Sequence, residues 1–523
     1  MRSDSCYVYI HSRAVADDEV KVVDIDTSYG HYDSVDLMFW SFKNSPIKTV
    51  YMADCLIQFS FIRDYCERNN VIAYNIIKQD STIFKMRIHG IDIVNCDNIW
   101  RAPFKILCKE LNLGEPSAKA VENLVEIIES IGIDRGLSFK HGNYYTIGTL
   151  AWKSLHTFSS IEDIMYKVYP MNYDRWKWFE KNNIYKGGLC LINKCYQGKD
   201  MDGLYKYDKN SFYLSVMKYG NMPKGIMRHV DGAPERMENV LVHAIITGFA
   251  KFPGLAPFED RKDFVEKEVY MWSDELQELT HWYNNMEIDV IEHWTWSEFS
   301  PDKTLSRFAD YYYPQKKNAT GIKRHGVKLI INNTNGKFGQ APTFYRYRFE
   351  NGEFKRGRRA AIDFQHIRSL AVASKITSLA RTWLLRSIRE ATNNRPDKYY
   401  VYGDTDSMIL TIPYKNTGDE LGEFKFEGYF DKGVILNKKC YMLYSEDEGY
   451  ECHACGVNQR ALQEAMNGKK WNEAREIFNY DKDFLCPTVV TVKGGKYVKM
   501  MPHKITDGTN ATNWNVVHGC FEE

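Results

Sequence analysis

Tyr402-Gly403-Asp404-Thr405-Asp406-Ser407 sets two aspartates two residues apart, between the apolar segments 399–402 and 408–410. Such a pattern predicts a strand, a tight turn and a second strand. On an extended backbone, residues i and i+2 point to the same side, so we expect both carboxylates to share one side. Together they could bind a hard divalent cation such as Mg²⁺. A solvated turn and the metal-linked nucleotide-sugar site of a glycosyltransferase show the same pattern, which alone does not separate these readings.

Two further segments favour nucleotidyl transfer. Residues 207–217 (YDKNSFYLSVM) carry the single aspartate Asp208, and residues 328–339 (KLIINNTNGKFG) form a basic, helical stretch. Two-metal nucleotidyl transfer needs a carboxylate from a separate strand to complete the metal cage. It also needs cationic side chains that hold the incoming triphosphate. The order of single aspartate, basic helix and aspartate pair meets both requirements.

These segments resemble motifs A, B and C of the family B DNA polymerases. Tyr185-Lys186-Gly187-Gly188 and Lys439-Cys440-Tyr441 resemble the YxGG and KxY elements of the same family. The spacing of the motifs and the insertions between them are similar to those of the protein-primed bacteriophage branch. The resemblance covers most of residues 180–500; motif C is its most specific part, and motif B its most degraded.

The resemblance implies roles for residues that match the motifs. The catalytic, metal-binding residues would be Asp208, Asp404 and Asp406, with two Mg²⁺ ions, or Mn²⁺ in their place. Nucleotide-binding residues would be Tyr213, which excludes a 2′-hydroxyl, and Lys316, Arg324, Lys328 and Asn332. DNA-binding residues would be Tyr185, Gly187, Gly188, Ser211, Lys439 and Tyr441.

The spacing of polar residues around motif B predicts one helix face, and residues that differ from the family's motifs predict altered base discrimination. Arg324, Lys328, Asn332 and Asn335 follow one another at steps of four, four and three, so we expect one helix face, with Lys316 joining from the helix start. Asn335 stands where the family has a tyrosine beside the nascent base pair. An amide has no ring to pack there, so we expect weaker base discrimination. Asn333 and Leu214 also replace the family's usual serine and proline.

The N-terminal region resembles a 3′–5′ proofreading exonuclease domain whose site is incomplete. Asp24 and Asp26 match its first motif. Gln58 stands where the family has a metal-binding aspartate, and Ala120 and Leu124 occupy the places of the third motif. Two-metal hydrolysis needs about four carboxylates in one site. We therefore expect an RNase H-like fold in which proofreading is weak or absent.

The fold class expected is α/β and α+β multidomain: an RNase H-like exonuclease-type domain followed by a right-hand polymerase with two insertions. We divide the chain into an exonuclease-like domain (1–165), the first part of the palm (166–220), a first insertion (221–303), fingers (304–340), a second insertion (341–360), the second part of the palm (361–468) and a thumb (469–523). Within it we expect helices at 118–131 and 367–391, a hairpin turn at Asn351-Gly352, and a helix near Leu276 capped by Ser273.

The distribution of charged, aromatic, cysteine and apolar residues indicates which partners and which cellular compartment to expect. The formal net charge is only +1, but residues 301–360 hold fourteen Lys and Arg against four Asp and Glu. Aromatic residues from Tyr345 to Phe354 interleave with those charges, which predicts a surface that binds nucleic acid. Twelve scattered cysteines and the lack of a secretory start favour the cytoplasm. No apolar run reaches the length of a membrane helix, so we expect no membrane partner.

The function expected is a DNA-directed DNA polymerase, primed by the hydroxyl of a terminal protein and replicating a phage or linear element with strand displacement. Its partners would be primer-template DNA, deoxynucleoside triphosphates and the terminal protein, and the chain would act as a monomer or as a heterodimer with that protein. Two alternatives stay open: a polymerase-shaped DNA-binding protein with little or no turnover, and a palm enzyme that uses RNA. The intact Asp208, Asp404 and Asp406 favour the enzyme.

Overall fold

The structure is a computed structural model that describes residues 4–16, 19–53, 55–79, 82–97, 104–133, 147–160, 163–258, 264–342, 345–359, 368–493 and 495–506. The expected helices at residues 118–131 and 367–391 are confirmed as far as they lie within these ranges. In chain order the described strands are β1 (Ser5–Ala16), β2 (Glu19–Thr27), β3 (Gly30–Tyr32), β4 (Thr49–Met52), β5 (Ala73–Gln79), β6 (Thr82–Ile88), β7 (Ile91–Asn95), β8 (Cys190–Ile192), β9 (Asp200–Lys209), β10 (Met222–Lys224), β11 (Arg228–Asp231), β12 (Leu241–Ala250), β13 (Phe264–Trp272), β14 (Tyr283–Thr295), β15 (Glu298–Ser300), β16 (Tyr345–Glu350), β17 (Glu353–Arg359), β18 (Tyr400–Asp404), β19 (Ser407–Leu410), β20 (Phe424–Asn437), β21 (Cys440–Ser445), β22 (Gly449–His453), β23 (Asp483–Val492) and β24 (Gly495–Lys504).

The described α-helices are α1 (Val35–Lys43), α2 (Cys55–Arg68), α3 (Phe104–Glu110), α4 (Ala118–Ile133), α5 (Ile147–His156), α6 (Tyr173–Lys181), α7 (Phe212–Tyr219), α8 (Ser273–Leu279), α9 (Lys303–Asn318), α10 (Gly321–Phe338), α11 (Leu370–Ala391), α12 (Pro396–Tyr399), α13 (Gln459–Met466) and α14 (Trp471–Ile477). A π-helical turn, Asp163–Val168, precedes α6. None of the described helices is long and apolar enough to cross a bilayer.

A nine-stranded sheet organises the N-terminal region, in the order β17-β16-β5-β6-β7-β4-β1-β2-β3. β1, β4 and β7 run parallel, and the other strand pairs are antiparallel. β16 and β17 belong to the second insertion, and they enter this sheet because β16 pairs with β5. Asn351 and Gly352 both take left-handed φ angles (53° and 78°) at the tip of the β16–β17 hairpin, as its turn sequence predicts.

The palm is a seven-stranded sheet in the order β22-β21-β20-β9-β19-β18-β8. α7 and the long helix α11 belong to the large core that spans palm, fingers and first insertion. Most α11 side chains are buried, several polar ones included. A helix buried on nearly all sides must find partners for those polar groups, and the first insertion supplies several.

The first insertion forms a four-stranded sheet, β11-β14-β12-β13, with the short helix α8 packed on α11. Leu276, Leu279 and Trp282 are fully buried, as their helical spacing predicts. The prediction that Ser273 caps α8 with its side chain is wrong: Ser273 lies inside the helix, and its Oγ accepts a hydrogen bond from Val240 N (3.2 Å). The cap position belongs to Trp272.

The second insertion and the thumb both contact the N-terminal region. Phe349 is buried beside Phe354, and the Arg63 guanidinium lies 5.2 Å from the Phe349 ring. The expectation that these aromatic side chains line a nucleic-acid surface is therefore wrong for Phe349, which packs into the N-terminal core, whereas Arg346 and Arg348 on alternate positions stay exposed. At the thumb tip, Lys496 N donates to Ser60 Oγ (3.0 Å).

Candidate active site

The turn at residues 404–407, named the catalytic turn for its predicted role, joins β18 to β19. Thr405 has a left-handed φ of 62°, and Asp406 N donates to Asp404 O across it (2.7 Å). Ser407 Oγ closes the turn by accepting from Asp404 N (3.1 Å). The predicted strand, turn and strand are confirmed, but the expectation of an extended backbone through Asp404 and Asp406 is wrong, because the bend at Thr405 breaks the alternation of sides.

Strand pairing brings Asp208 to this turn. β9 lies beside β19 with Asp208 opposite Ser407, and Lys209 N donates to Asp406 O (2.8 Å). Asp404 sits one strand further away and is held by Lys439, whose Nζ lies 3.3 Å from its Oδ2. Among the described residues these three carboxylates do not gather within 4.8 Å of one another. The charge of Asp208 raises the pKa of Asp406 more than the charge of Asp404 does, which makes Asp208 and Asp406 the closer pair.

The electrostatics of the pair suit a bound cation. Burial raises the pKa of Asp208 and of Asp406 above that of an ordinary aspartate. The charges of Asp208 and Asp404 raise the pKa of Asp406 further, while nearby Lys328 opposes the shift. Adjacent acids that are costly to ionise together fit divalent ions, whose charge offsets the repulsion. Asp208, Asp406 and Asp404 would hold the ions.

The YKGG loop (residues 185–188) supports the turn from below. Thr405 N donates to Leu189 O (2.6 Å), and a Cβ placed on Gly188 would stand 2.6 Å from Thr405 Oγ1 and 2.9 Å from Tyr213 Oη. Gly188 is therefore required by close packing. Tyr213 is partly buried beneath the turn, and burial raises the pKa of its hydroxyl. The sugar-selecting role of Tyr213 stays a prediction.

A buried ion pair that sequence reasoning missed holds this loop. Arg381 on α11 donates to Gly187 O (2.7 Å) and Lys186 O (3.1 Å). Its other nitrogens bind both oxygens of Glu275 on α8 (2.6 and 2.7 Å), and both side chains are 3% exposed. The only local signal was a basic residue between the apolar positions 379 and 383 of the predicted helix, and that signal gives no hint of a partner 106 residues away.

The fingers contribute three exposed polar side chains, Arg324, Lys328 and Asn332, on one face of α10. Asn335 follows Asn332 by three residues on the same helix and so shares that face, but unlike the other three it is buried, and its Oδ1 has no hydrogen-bond partner among the described residues. Lys316 also differs from expectation, since it lies in the last turn of α9 rather than at a helix start.

Lys316 nevertheless faces the site. Its Nζ donates to Ser211 Oγ (2.7 Å), and Ser211 begins α7 just after Asp208 with a left-handed φ of 48°. Burial lowers the pKa of Lys316, as do the charges of Lys328 and Arg324. The charges of Lys328 and Lys316 oppose the burial that raises the pKa of Asp208, so both cations act on the carboxylate pair.

Residues expected to contact DNA fall into two groups. Lys439, held against Asp404, and Tyr441, which donates to Glu451 Oε1 (2.8 Å), lie at the start of β21 next to the catalytic turn. Tyr185 is 5% exposed and packs on Gly339 at the end of α10. The Tyr185 side chain therefore joins fingers to palm, and a DNA contact from this loop would come from the backbone around Gly187.

The exonuclease-like site contains two carboxylates held by local partners. Asp26 Oδ2 accepts from Ala118 N at the start of α4 (2.8 Å), and Asp24 Oδ2 lies 3.2 Å from His31 Nδ1. Gln58 is buried and makes two hydrogen bonds to the backbone of Ile10 (2.7 and 2.8 Å). In the described part of the chain no third acid joins Asp24 and Asp26 in a metal-binding group.

Comparisons with known proteins agree with this geometry. The family model for DNA polymerase type B, organellar and viral, matches residues 126–385. A DNA-directed DNA polymerase of Enterobacteria phage PRD1 is 26% identical over 503 residues, covering 83% of this chain and 85% of the relative. A probable DNA polymerase of Podospora anserina is 21% identical over 323 residues, covering 50% of this chain and 26% of the relative.

Solved structures show the same fold. Phi29 DNA polymerase in a ternary complex with primer-template DNA and incoming nucleotide substrates superposes with a TM-score of 0.78 at 16% identity, covering 96% of this chain and 100% of that one. The same polymerase with single-stranded DNA gives a TM-score of 0.77 at 17% identity, with the same coverage. The family model and the phage relative show that this chain is similar to the type B DNA polymerases, and the solved structures show that it has the fold of phi29 DNA polymerase.

Proposed function

We propose that this DNA-directed DNA polymerase extends a primer by two-metal nucleotidyl transfer with Mg²⁺ at Asp208 and Asp406. The register that sets Asp208 opposite Ser407, beside Asp406, is the observation that carries the proposal. Type B polymerases in general use divalent metal ions. When bound here, the ions would lower the pKa of the primer hydroxyl and neutralise charge on the leaving pyrophosphate.

The protein's own residues would bind and orient the substrates. Arg324 and Lys328 are exposed on one face of α10, where they can hold the triphosphate, and Asn332 lies one turn further along. Tyr213 closes the floor beneath the sugar, where a 2′-hydroxyl would meet its ring. Lys439 sits against Asp404 at 3.3 Å, close enough to a growing strand to bind a phosphate.

The decisive test is extension of a primed template with Mg²⁺ and deoxynucleotides. Asp406→Ala should abolish extension while leaving DNA binding in place. Asp202→Asn is the matched control, because Asp202 lies on the same strand as Asp208 with its side chain 83% exposed. Wild-type chain that binds DNA without extending it would support the DNA-binding alternative. An RNA template used as well as DNA would support the RNA alternative.

We further propose that a terminal protein primes synthesis by binding the first insertion. The first insertion is clamped to the palm by salt bridges from α8 to α11: Asp274 to Lys375, Glu275 to Arg381 and Glu278 to Arg389 (2.7 Å). A surface fixed so firmly beside the active site could seat a terminal protein that offers its hydroxyl as primer. The chain would then work as a heterodimer, or as a monomer after initiation, on a phage or linear element in the host cytoplasm.

The second insertion and the thumb would support strand displacement. β16 pairs with β5, and at the thumb tip Val20 N donates to Lys493 O (3.0 Å). Both elements therefore reach from the polymerase half to the N-terminal region, which would enclose the template. The exposed Arg346, Arg348, Lys493 and Lys499 would bind its phosphates.

Initiation and displacement have separate tests. A candidate terminal protein incubated with polymerase, labelled deoxynucleotide and linear template should become labelled, and the label should vanish on protease treatment. Label that appears only when an oligonucleotide primer is supplied contradicts protein priming. Extension through a duplex block should fail when residues 345–359 are replaced by a short linker, while extension on single-stranded template continues.

A further inference from the structure

Five metal-ligating side chains share the outer face of the first insertion's sheet. Asp231 on β11 lies directly opposite Glu292 on β14, and Glu292 in turn lies opposite His243 on β12. His229 stands two residues before Asp231 on the same side of β11. Glu268 on β13 reaches His243 from the far side. We name these residues the His-carboxylate cluster; it lies outside the palm sheet of Asp208 and Asp406.

Glu292 is the centre of the cluster. Its Oε2 lies 2.5 Å from His229 Nε2, and its Oε1 lies 2.9 Å from His243 Nδ1. The other nitrogen of His243 lies 2.6 Å from Glu268 Oε1, and His229 Nε2 lies 3.8 Å from Asp231 Oδ1. One ligand atom each from His229, Asp231 and Glu292 falls within 4.8 Å of the other two.

The surroundings fix the imidazoles but do not neutralise the acids. The His243 ring stacks on Tyr270 at 4.2 Å, and the His229 ring lies 5.2 Å from Trp294. Within the described ranges the cluster's carboxylates have only these two histidines as ion-pair partners. Asp231 and Glu292 are like charges directly opposite one another, an arrangement that destabilises a strand pair. Even two protonated imidazoles would leave excess negative charge.

We propose that His229, Asp231 and Glu292 bind one transition-metal dication of the zinc class. Zinc takes imidazole nitrogen and carboxylate oxygen, and three protein ligands leave one position for water. Mg²⁺ and Ca²⁺ prefer oxygen ligands alone, so the imidazole selects against them. His243 positions Glu292 through its second oxygen, and Glu268 anchors His243, as outer partners of metal ligands commonly do.

The ion would fasten the edge of the sheet. β11 has four residues and, among the described strands, pairs with β14 alone. The ion would therefore cross-link His229 and Asp231 on β11 to Glu292 on β14. Binding to the folded state alone raises stability by mass action. Zn²⁺ should therefore raise the unfolding temperature of the chelator-treated wild type by more than that of the double variant His229→Ala, Glu292→Gln.

Calorimetric titration of chelator-treated full-length chain with Zn²⁺ tests the proposal. The wild type should bind one more Zn²⁺ ion than the double variant His229→Ala, Glu292→Gln. Any ion bound at the catalytic acids is present in both proteins and cancels in the comparison. His243→Ala should weaken binding about 10- to 100-fold. His281→Ala is the control, since His281 is exposed and outside the cluster. Mg²⁺ and Ca²⁺ should not compete at equal concentration.

Visible absorption spectroscopy with Co²⁺ tests the same site in the wild type alone, which is needed if the double variant does not fold. Co²⁺ bound to wild type should give the intense visible absorption of a low-coordinate site with nitrogen ligands. Equal Zn²⁺ stoichiometry in wild type and a folded double variant overturns the proposal, as does a Co²⁺ spectrum without those bands. Equal affinity for Mg²⁺ overturns it too, and the cluster is then a hydrogen-bonded network of histidines and acids without a metal.

Discussion

Gly188 lies against Thr405 so closely that a Cβ on Gly188 would stand 2.6 Å from Thr405 Oγ1 and 2.8 Å from its Cγ2. The loop before the palm sheet and the catalytic turn are thus packed without space for one methyl group. Thr405 N also bonds to Leu189 O at 2.6 Å, so the contact is fixed on both sides. The position of Asp406 depends on this packing.

Gly188→Ala should displace the catalytic turn and lower kcat for primer extension about tenfold or more, equivalent to about 1.4 kcal/mol on the barrier. Single-turnover extension at saturating DNA measures the effect. Gly428→Ala on β20 is the matched control, because a Cβ there meets Phe430 only at an ordinary 3.5 Å. Equal rates for both variants would show that the turn tolerates the shift.

Arg381→Met should destabilise the fold by about 3–5 kcal/mol, because the buried Glu275 carboxylate loses its cation and keeps a neutral donor, the Ser378 hydroxyl (2.6 Å). Adding Glu275→Leu should recover most of that loss, since apolar side chains can replace a buried ion pair. Extension should stay slow in the double variant, because the carbonyls of Lys186 and Gly187 still lack their donor. Denaturant unfolding and extension rates separate the two effects. Full recovery of the rate would show that Arg381 acts on stability alone.

Metal affinity should rise with pH across the range in which Asp208 and Asp406 ionise. Burial raises the pKa of both groups, so they stay protonated to higher pH than ordinary aspartates, and metal binding must release those protons. The half-saturating Mg²⁺ concentration in extension assays should fall as pH increases from about 6 to about 8. A Mg²⁺ affinity that does not change with pH would contradict the raised pKa values of Asp208 and Asp406.

The same raised pKa values have the opposite effect on the stability of the metal-free protein, which should fall as pH rises. Because the folded state binds these protons more tightly than the unfolded state, the free energy of unfolding should fall as pH rises through this range. Asp406→Asn should reduce that slope. Thermal unfolding in chelator at several pH values measures it, and Asp202→Asn again serves as the control.

Nucleotide release from the 3′ end of single-stranded DNA should be weak or absent. Gln58→Asp should not restore it, because Gln58 uses both ends of its amide to bond the backbone of Ile10. That substitution should instead cost about 1–3 kcal/mol of stability, since a buried carbonyl loses its donor. Robust digestion that requires metal and disappears in Asp24→Ala would contradict the loss of proofreading.

Asn335→Tyr should lower misincorporation, because it restores a ring that can pack beside the nascent base pair. The buried Asn335 Oδ1 has no partner among the described residues, so removing the amide sacrifices no hydrogen bond there. Misincorporation frequencies from gap filling on a defined template measure the change. Frequencies that rise or stay level argue against the packing role, and thermal unfolding shows whether the larger ring fits.

The amino-acid sequence alone predicts those strands, helices and turns that depend on residues close together in the chain. The strand–turn–strand around Asp404, the helix that became α11 and the Asn351-Gly352 turn follow from apolar periodicity and turn chemistry. The order of motifs was enough to identify a polymerase. Such signals are local, because a few residues fix the backbone on their own.

Contacts between residues far apart in the chain could not be predicted from the sequence and are known from the tertiary structure. The left-handed Thr405, the burial of Phe349 in the N-terminal core and the Arg381–Glu275 pair involve contacts that propensity does not encode. Gln58 resembled a lost metal ligand, and the structure shows in addition that it bonds a neighbouring strand. Pairing across a hundred residues depends on packing the whole core, where burial and hydrogen-bond satisfaction outweigh local preference.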